Sequence, residues 1–329
     1  MKPLLLTLLL AAAPAAAPAA PFDYPLERNA AGDVIALDLT GAWVTDAALD
    51  RLVSQYPKLE RLTLAHTRIT DAGFQHLAKL QHVRELDCFF AEFFTADGLA
   101  HLASWRRLER LNLRGTRVTS KAFEHIAKWK TLRELDISYT QIDDANLELL
   151  AELPLLETLA LGGTPLTAAG LGQLRLLPSL RNLDLSGVQR VDSGEWGVAL
   201  NPGAFAEIAA LTGLRRLNLA GATRTDAGAD RPGLKESIRS KIEGSAALAA
   251  LVNLEFLDLS RLPIDAAALE PLTKLPKLRE LRAALAPSLG AAALSVLLRF
   301  PALRVLRVEG SLPPEALNQL RAARPHLTR

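Results

Sequence analysis

Three histidines occur at a regular spacing in the first half of the 329-residue chain, and histidines in register are potential metal ligands. His76, His101 and His125 occupy the same position in successive copies of a sequence pattern, just before an apolar residue. Packed helices lie roughly 10 Å apart, which is too far for their histidines to share one ion. No acidic residue repeats beside these histidines. The pattern therefore favours repeated surface residues, and we expect no metal and no other cofactor.

Carboxylates in two irregular segments are the remaining candidates for catalysis. Asp192 in one segment, with Asp226 or Asp230 in the other, could form the pair that a hydrolase uses. The chain contains no G-x-S-x-G, no H-E-x-x-H and no phosphate-binding loop. Its one cysteine, Cys88, excludes an intramolecular disulfide and a multi-cysteine zinc site. We therefore expect a protein that is not an enzyme, and a hydrolase built on these carboxylates is the alternative from another class.

Aromatic and basic residues form a larger set of candidates, suited to contacting a partner. Arginine makes bidentate contacts with carboxylates, and tryptophan often anchors an interface. One group follows predicted strands, and the other lies in two insertions. The first group is Phe89, Phe90, Arg114 and Tyr139; the second is Arg190, Trp196, Arg224, Arg231, Lys235 and Arg239.

An internal repeat organises the chain around these residues. Leu59-Glu-Arg-Leu62-Thr-Leu64 recurs with small changes, for example as Leu108-Glu-Arg-Leu111-Asn-Leu113, and eleven copies are present. The interval between central leucines is 24 or 25 residues, except for two intervals of 34 and 40. The central leucines are residues 37, 62, 86, 111, 135, 159, 183, 217, 257, 281 and 306.

Each copy predicts one strand and one helix. The L-x-L segment has the period of two that is typical of a strand. Thr or Asp then caps a helix start, as at Thr70-Asp71, Thr119-Ser120, Asp143-Asp144 and Thr167. One such unit cannot bury its own apolar face, whereas stacked units can. The repeat therefore predicts a single elongated solenoid.

This pattern resembles the bacterial leucine-rich repeat proteins with 24-residue repeats, over roughly residues 34–323. The resemblance implies an α/β fold, a curved right-handed solenoid or horseshoe with a parallel β-sheet on the concave side and helices on the convex side. It also implies a non-catalytic scaffold, although a fold does not fix a function. We expect an unidentified protein partner, and an envelope polysaccharide or peptidoglycan is the alternative ligand.

Two insertions interrupt the regular spacing, at residues 188–203 and 222–247. They add ten and sixteen residues to neighbouring repeats. Leu234, Ile238 and Ile242 are four residues apart, which predicts a short amphipathic helix. Because both insertions follow a strand, we expect them to form one lobe at the same rim and to share in binding. Tolerated surface loops are the alternative, because loops accept insertions at low cost.

Side chains on the predicted concave face have a structural interpretation as well. Arg61, Glu85, Arg110 and Glu134 alternate in charge on strands that lie about 4.8 Å apart, so neighbours can pair. Asp or Asn recurs between the two strand leucines. A threonine column is expected to hydrogen-bond backbone groups of the adjacent turn; its members are Thr67, Thr116, Thr140 and Thr164.

The first residues have the layout of a secretory signal peptide. Lys2 precedes an apolar run of about ten residues, and Ala17-Pro18-Ala19 offers a cleavage site. We therefore assign residues 1–19 to a signal, 20–33 to an N-terminal cap and 34–329 to the solenoid. The mature protein is expected to be periplasmic or secreted, monomeric and not inserted in a membrane. A net charge of +2 argues against a dedicated nucleic-acid binder.

Overall fold

The computed structural model describes residues 24–187, 197–198, 200–222, 244–285, 295–309, 318–319 and 322. These residues form one sheet of twelve strands, which lie side by side in the order of the sequence. The strands are β1 Leu26–Arg28, β2 Val34–Asp38, β3 Arg61–Thr63, β4 Glu85–Asp87, β5 Arg110–Asn112, β6 Glu134–Asp136, β7 Thr158–Ala160, β8 Asn182–Asp184, β9 Arg216–Asn218, β10 Phe256–Ile264, β11 Glu280–Leu285 and β12 Val305–Glu309.

Each predicted central leucine lies within a strand and is paired with the central leucine of the next repeat. The register runs from Leu37 opposite Leu62 at one end to Leu281 opposite Leu306 at the other. All pairs from β2 to β12 are parallel. The strand predictions are therefore confirmed, including those on either side of the two insertions.

The strand β1 adds an element that the sequence pattern does not predict. It pairs antiparallel with β2, with Leu26 opposite Leu37. The predicted N-terminal cap thus contains a strand that covers the open edge of the first repeat. This strand has no L-x-L pattern because it has no parallel neighbour to match.

The helical layer is made of short segments. The α-helices are α1 Asp46–Gln55, α2 Asp71–Leu77, α3 Ala96–Ala100, α4 Phe123–Ile126, α5 Ala168–Gln173, α6 Pro202–Ala209 and α7 Ala266–Leu269. The 3-10 segments are Ser120–Ala122, Leu147–Glu152, Leu174–Leu176, Ser245–Ala250 and Glu270–Lys274. No helix of the described residues is long and apolar enough to cross a membrane.

Helix starts agree with the prediction at two of the four proposed caps. The hydroxyls of Thr70 and Thr167 accept hydrogen bonds from the second residue of their helices. The prediction for Thr119 is wrong, because its side chain makes no capping bond. At Asp143-Asp144 the predicted helix start is wrong, because the helical segment begins only at Leu147, although Asp143 does accept the backbone N–H of Ala145 at 3.1 Å.

Aspartates at or shortly before the helix starts join neighbouring repeats. The carboxylate of Asp46 accepts from the backbone N–H of Thr70 at 3.0 Å and from its hydroxyl at 2.7 Å. Asp71 binds Thr95 in the same way, and Asp144 binds Thr167. Each carboxylate therefore ties one helix start to the next repeat, a contact that we call the aspartate staple.

The core is continuous through the described part of the stack. The strand leucines of all eleven repeats belong to one cluster of buried apolar residues. Trp105 and Trp129 are 1% exposed, and their indole N–H groups donate to the carbonyl oxygens of Leu77 and Leu102. Cys88 is fully buried in place of a leucine, and this burial raises the pKa of its thiol.

Candidate functional site

The concave face of the first repeats forms a groove of about 650 Å³. Two arginines and six carboxylates line it, so its formal charge is −4, and we call it the acidic groove. The charged residues are Glu27, Asp38, Arg61, Glu85, Asp87, Arg110, Glu134 and Asp136.

The predicted charge pairing across the strands is present for Arg110. Its guanidinium lies 2.7 Å from Glu85 and 3.1 Å from Glu134. Arg61 departs from the expected scheme, because it pairs with Glu27 of β1. The two arginines are thus already neutralised by the sheet itself, and the surplus charge of this groove is negative.

The Asp or Asn between the strand leucines has a structural role. Its side-chain oxygen accepts a hydrogen bond from the backbone N–H two residues further on, at 2.8–3.0 Å. This contact turns the chain out of each strand. The residues that make it are Asp38, Asp87, Asn112, Asp136, Asp184, Asn218 and Asp258.

Burial affects two of these carboxylates. Desolvation raises the pKa of Asp136 and also that of Asp87, and hydrogen bonds from the following turns oppose the shift. Asn112 and Asn218 make the same contact without a charge. The column therefore needs an acceptor oxygen and does not need a carboxylate.

The threonine column is buried, but the prediction of its partner is wrong. Each hydroxyl donates to the carbonyl oxygen three residues earlier in its own turn, as Thr67 does to Leu64 and Thr140 to Ile137 at 2.7 Å. The reach of a threonine side chain explains this, because the carbonyl three residues earlier lies within the same turn.

The position four residues after the central leucine has a left-handed backbone in eight of the described repeats. Glycine occupies it in several repeats, whereas His66, Phe90, Tyr139 and Arg261 hold it with φ of 51–62°. A non-glycine residue in this region costs about 1 kcal/mol. The glycines are Gly41, Gly115, Gly163 and Gly221. Bulky side chains are therefore held at this edge of the sheet in spite of a backbone cost.

The predicted aromatic residues lie along this edge. Phe89 and Phe90 contact each other and His66, with ring centroids 4.8–5.8 Å apart. Tyr139 lies two repeats further on, and the guanidinium of Arg114 is 4.6 Å from the centre of its ring. The four predicted residues of the first group thus share one rim of the sheet.

The sequence pattern does not predict the aromatic residue with the largest exposed fraction in the described part of the chain. Trp43 is 85% exposed and Phe93 is 54% exposed, and the guanidinium of Arg68 lies 4.7 Å and 5.6 Å from their ring centres. These three residues belong to successive repeats, and we call them the aromatic rim. Of the neighbouring Phe93 and Phe94, only Phe94 enters the core, with no exposed surface. Trp43 directly precedes the core residue Val44, as Arg68 precedes Ile69, and this shared register is the signal that could have revealed it.

A second groove, of about 430 Å³, lies on the later repeats. Four arginines and one aspartate line it, so its formal charge is +3, and we call it the arginine groove. Those residues are Arg114, Arg261, Arg282, Arg307 and Asp258. The concave face is therefore negative in its first half and positive in its second half.

The comparisons with known proteins concern the repeat and the fold. A family model described as Leucine Rich repeat matches residues 130–151. The solved structure of the mouse RP105/MD-1 complex is similar, with a TM-score of 0.55 and 18% identity over 88% of this chain and 45% of that chain. The fold is a leucine-rich repeat solenoid. An internalin from Listeria monocytogenes is also similar, with a TM-score of 0.49 and 17% identity over 88% of both chains.

No curated protein matches the chain. This chain spans less than half the length of the mouse chain that it resembles. The likeness therefore establishes the solenoid, and the function has to be argued from the side chains.

The three regularly spaced histidines, His76, His101 and His125, do not form a common site. His76 Nδ1 lies 3.1 Å from the carboxylate of Asp50, which also binds Lys79. Desolvation lowers the pKa of His125, whose ring nitrogens are buried without a hydrogen-bond partner. Among the described residues, no three His, Cys, Asp or Glu side chains are grouped as metal ligands would be.

The predicted lobe falls largely outside the described residues. The predicted amphipathic helix, with Leu234, Ile238 and Ile242, lies outside them. So do the predicted partner contacts Arg190, Trp196, Arg224, Arg231, Lys235 and Arg239. The carboxylates of the hydrolase alternative, Asp192, Asp226 and Asp230, lie outside them as well. Both insertions leave the solenoid beside the arginine groove, since Gly187 lines this groove and so does Ala220.

Proposed function

We propose that this leucine-rich repeat protein is a non-catalytic scaffold that binds a protein partner through the aromatic rim. The observation that carries the proposal is the exposure of Trp43 and Phe93 on either side of Arg68. Tryptophan and arginine are enriched among the residues that dominate binding energy at protein interfaces. Each aromatic ring offers roughly 150–250 Å² of surface to bury.

The rim is also well prepared for binding. Arg68 holds its guanidinium against both rings, and the aspartate staples fix the repeats that carry the three residues. A surface ordered in advance loses less conformational entropy when it associates. The similar mouse structure is itself a complex, RP105/MD-1, which supports a protein as the partner.

A photo-crosslinking experiment in the producing cell tests this proposal. A benzophenone amino acid replaces Trp43 in one variant and Leu176, which is 51% exposed and lies away from the rim, in a control variant. We expect a discrete protein adduct at position 43 and none at position 176. The double variant Trp43→Ala, Phe93→Ala, with a benzophenone placed at exposed Arg117 beside the rim, should lose the adduct. The matched double variant Leu176→Ala, Val252→Ala should keep it.

Equal adducts at positions 43 and 176 would contradict the proposal, because they would indicate random collisions. An adduct that survives the double alanine change at the rim would contradict it as well. In both cases, circular dichroism spectra of the variants establish that the solenoid is folded.

We also propose that the chain is exported and acts outside the cytoplasm as a monomer. The support is the arrangement of residues 1–19, with Lys2, the apolar run and the Ala17-Pro18-Ala19 site. N-terminal sequencing of protein from the exported fraction should find a start at Ala20. An intact Met1 on most molecules would contradict export.

The insertions are proposed to extend the binding surface at the arginine groove. The support is that both leave the solenoid next to its lining residues. Deleting residues 223–243 keeps buried Ser245 and Leu248 in place, which makes it a milder change than removing the whole insertion. Partner capture should weaken in this deletion variant, whereas unchanged capture would restrict the site to the regular repeats.

A further inference from the structure

We propose that the arginine groove binds the acidic stretch of a polypeptide that carries charges of both signs. This site is separate from the aromatic rim, since it lies on the later repeats of the concave face. Its lining residues come from Arg114 to Val308, whereas the rim ends at Phe93. Either proposal can therefore be wrong without affecting the other.

The first argument is that positive charge in this groove is only partly neutralised. Arg282 binds Glu280 at 2.7 Å and lies 3.8 Å from Asp258. Within the described residues, neither Arg261 nor Arg307 has a hydrogen-bond or ion-pair partner for its guanidinium, and both are exposed. Two arginines are thus available to a ligand.

The second argument is the placement of the guanidiniums. Arg282 and Arg307 are directly opposite each other in the parallel register of β11 and β12, on strands about 4.8 Å apart. Arg282 already binds Glu280, so an anion that lies across these two strands meets a partly neutralised guanidinium on Arg282 and, within the described residues, an unpaired one on Arg307. Arg261 is held in a left-handed conformation at the end of the first part of β10, and its side chain runs across Gly221 of the preceding repeat.

The third argument identifies the ligand as a carboxylate-bearing chain with some apolar character. Guanidinium groups bind carboxylates through two parallel hydrogen bonds. Tyr139 and Val308 also line the groove, and Phe256 lies between Arg216 and Arg282, 4.0 Å and 5.1 Å from their guanidinium carbons. From β8 to β12 the groove spans roughly 19 Å, which holds about six residues of extended chain.

The fourth argument concerns the class of macromolecule. The concave face continues from the arginine groove into the acidic groove, where six carboxylates face two paired arginines. A long polyanion, such as a nucleic acid or a uronic-acid polysaccharide, would be repelled there. A polypeptide can place acidic residues on the arginines and basic residues on the carboxylates, so its charge complements both halves.

Peptide binding to the full chain tests the proposal, with fluorescence anisotropy as the readout. The probes are a labelled hexaglutamate and a two-block peptide in which hexaglutamate is joined to hexalysine by a Gly/Ser linker of eight residues. We expect both to bind, the two-block peptide more tightly, with affinities that fall as salt is added. A hexanucleotide and a hexagalacturonate of comparable negative charge should bind more weakly than hexaglutamate.

The groove variant is Arg261→Asn with Arg307→Gln. Asparagine tolerates the left-handed backbone at residue 261, so the fold should be retained. We expect the affinity for hexaglutamate to fall about tenfold for each arginine removed. The control is Arg51→Gln with Arg117→Gln, which changes the net charge equally at two exposed positions outside the groove. Its affinity should equal that of the wild type.

Several results would overturn the proposal. One is hexaglutamate binding that is the same in the groove variant and the wild type, and another is the absence of binding at millimolar peptide. Tighter binding of the hexanucleotide or the hexagalacturonate would assign the groove to that class of ligand instead. The single variant Arg307→Glu, at an exposed position, provides the same comparison should the double variant unfold. The change Trp43→Ala, Phe93→Ala should leave peptide binding intact, which separates this test from that of the rim.

Discussion

The ring of Tyr139 lies against Gly163 of the following repeat, so that a β-carbon on Gly163 would come within 2.6 Å of the ring. The guanidinium carbon of Arg114 lies 4.6 Å from the centre of the same ring. Both Tyr139 and Gly163 have a left-handed backbone, with φ of 55° and 69°. The ring of Tyr139 thus requires a glycine at residue 163, and Phe90 lies on Gly115 in the same way, whereas His66 is followed in the next repeat by Phe90, whose ring stacks on that of His66.

This relationship predicts different costs for two glycine-to-alanine changes. Gly163→Ala should destabilise the protein by about 1 kcal/mol for the left-handed backbone and by a further 1–3 kcal/mol for the clash with Tyr139. Gly41→Ala is the control, because its φ is 66° and no atom lies within 4 Å of the added β-carbon. Urea unfolding measures both. Equal losses would mean that the ring contact contributes nothing.

The buried carboxylate of Asp136 gives a prediction about pH. Its raised pKa means that the folded state takes up a proton before the unfolded state does as the pH falls. In its protonated form Asp136 favours the folded state. This contribution to stability is therefore lost as the pH rises from the ordinary pKa of an aspartate through the raised pKa. Asp136→Asn keeps an acceptor for the N–H of Ser138 and should be at least as stable as the wild type at pH 7, with an advantage that shrinks towards pH 3.

The matched change Asp136→Ala tests the other half of this argument. It leaves the N–H of Ser138 without its acceptor and should cost about 1–2 kcal/mol at neutral pH. Unfolding free energies measured from pH 3 to pH 7 compare the three proteins. A loss of stability in Asp136→Asn equal to that in Asp136→Ala would show that the charge itself is required.

The aspartate staple predicts that removing the carboxylate of Asp46 lowers the stability of the fold more than removing an exposed ion pair does. Asp46→Ala removes the acceptor of the Thr70 N–H and of its hydroxyl, both partly buried, and should cost about 2 kcal/mol. Asp97→Ala is the comparison, since Asp97 is exposed and binds only Lys121 through its carboxylate. Its effect on thermal unfolding should be much smaller. Similar melting temperatures for the two variants would argue against the staple.

Alanine substitutions at the adjacent residues Phe93 and Phe94 should differ in how much they destabilise the protein. Phe94 is fully buried and lies 4.3 Å, centre to centre, from Phe74, so Phe94→Ala should destabilise the protein by about 3–5 kcal/mol. Phe93→Ala removes an exposed ring and should change stability by less than about 1 kcal/mol. Chemical denaturation distinguishes them. A large loss for Phe93→Ala would place that ring in the folding core and not on a binding surface.

The repeat made the strands predictable from the sequence, because a leucine every 24 or 25 residues has one interpretation as a stacked sheet. The same periodicity located the Asp and Asn column, but not its hydrogen bond to the N–H two residues on. The lack of a capping bond at Thr119 was not predictable, because the segment after it begins as a 3-10 turn. Strand β1 was missed because an antiparallel edge strand needs no leucine pattern.

The candidate sites were less predictable than the fold. Phe89, Phe90, Arg114 and Tyr139 were identified because they occupy strand exits. Trp43 and Arg68 share a register, because each directly precedes a core residue, but this register marks a surface position and does not distinguish a binding side chain from any other exposed one. The arginine groove joins residues as distant in sequence as Arg114 and Arg307, and the curvature of the stack brings them to one groove. The spacing of residues along the sequence does not specify that curvature.

The antiparallel strand β1 also has a consequence for how molecules meet end to end. A solenoid is built by translation, so a bare first repeat would present the same parallel edge that every internal repeat presents to its neighbour. Another molecule could then continue the stack into a filament. Because Leu26–Arg28 runs the opposite way and no helix separates it from Val34, a docking repeat would meet neither a parallel ladder nor a helix to pack on. Three residues thus replace the parallel edge at this end of the stack with one that does not match the translation from repeat to repeat.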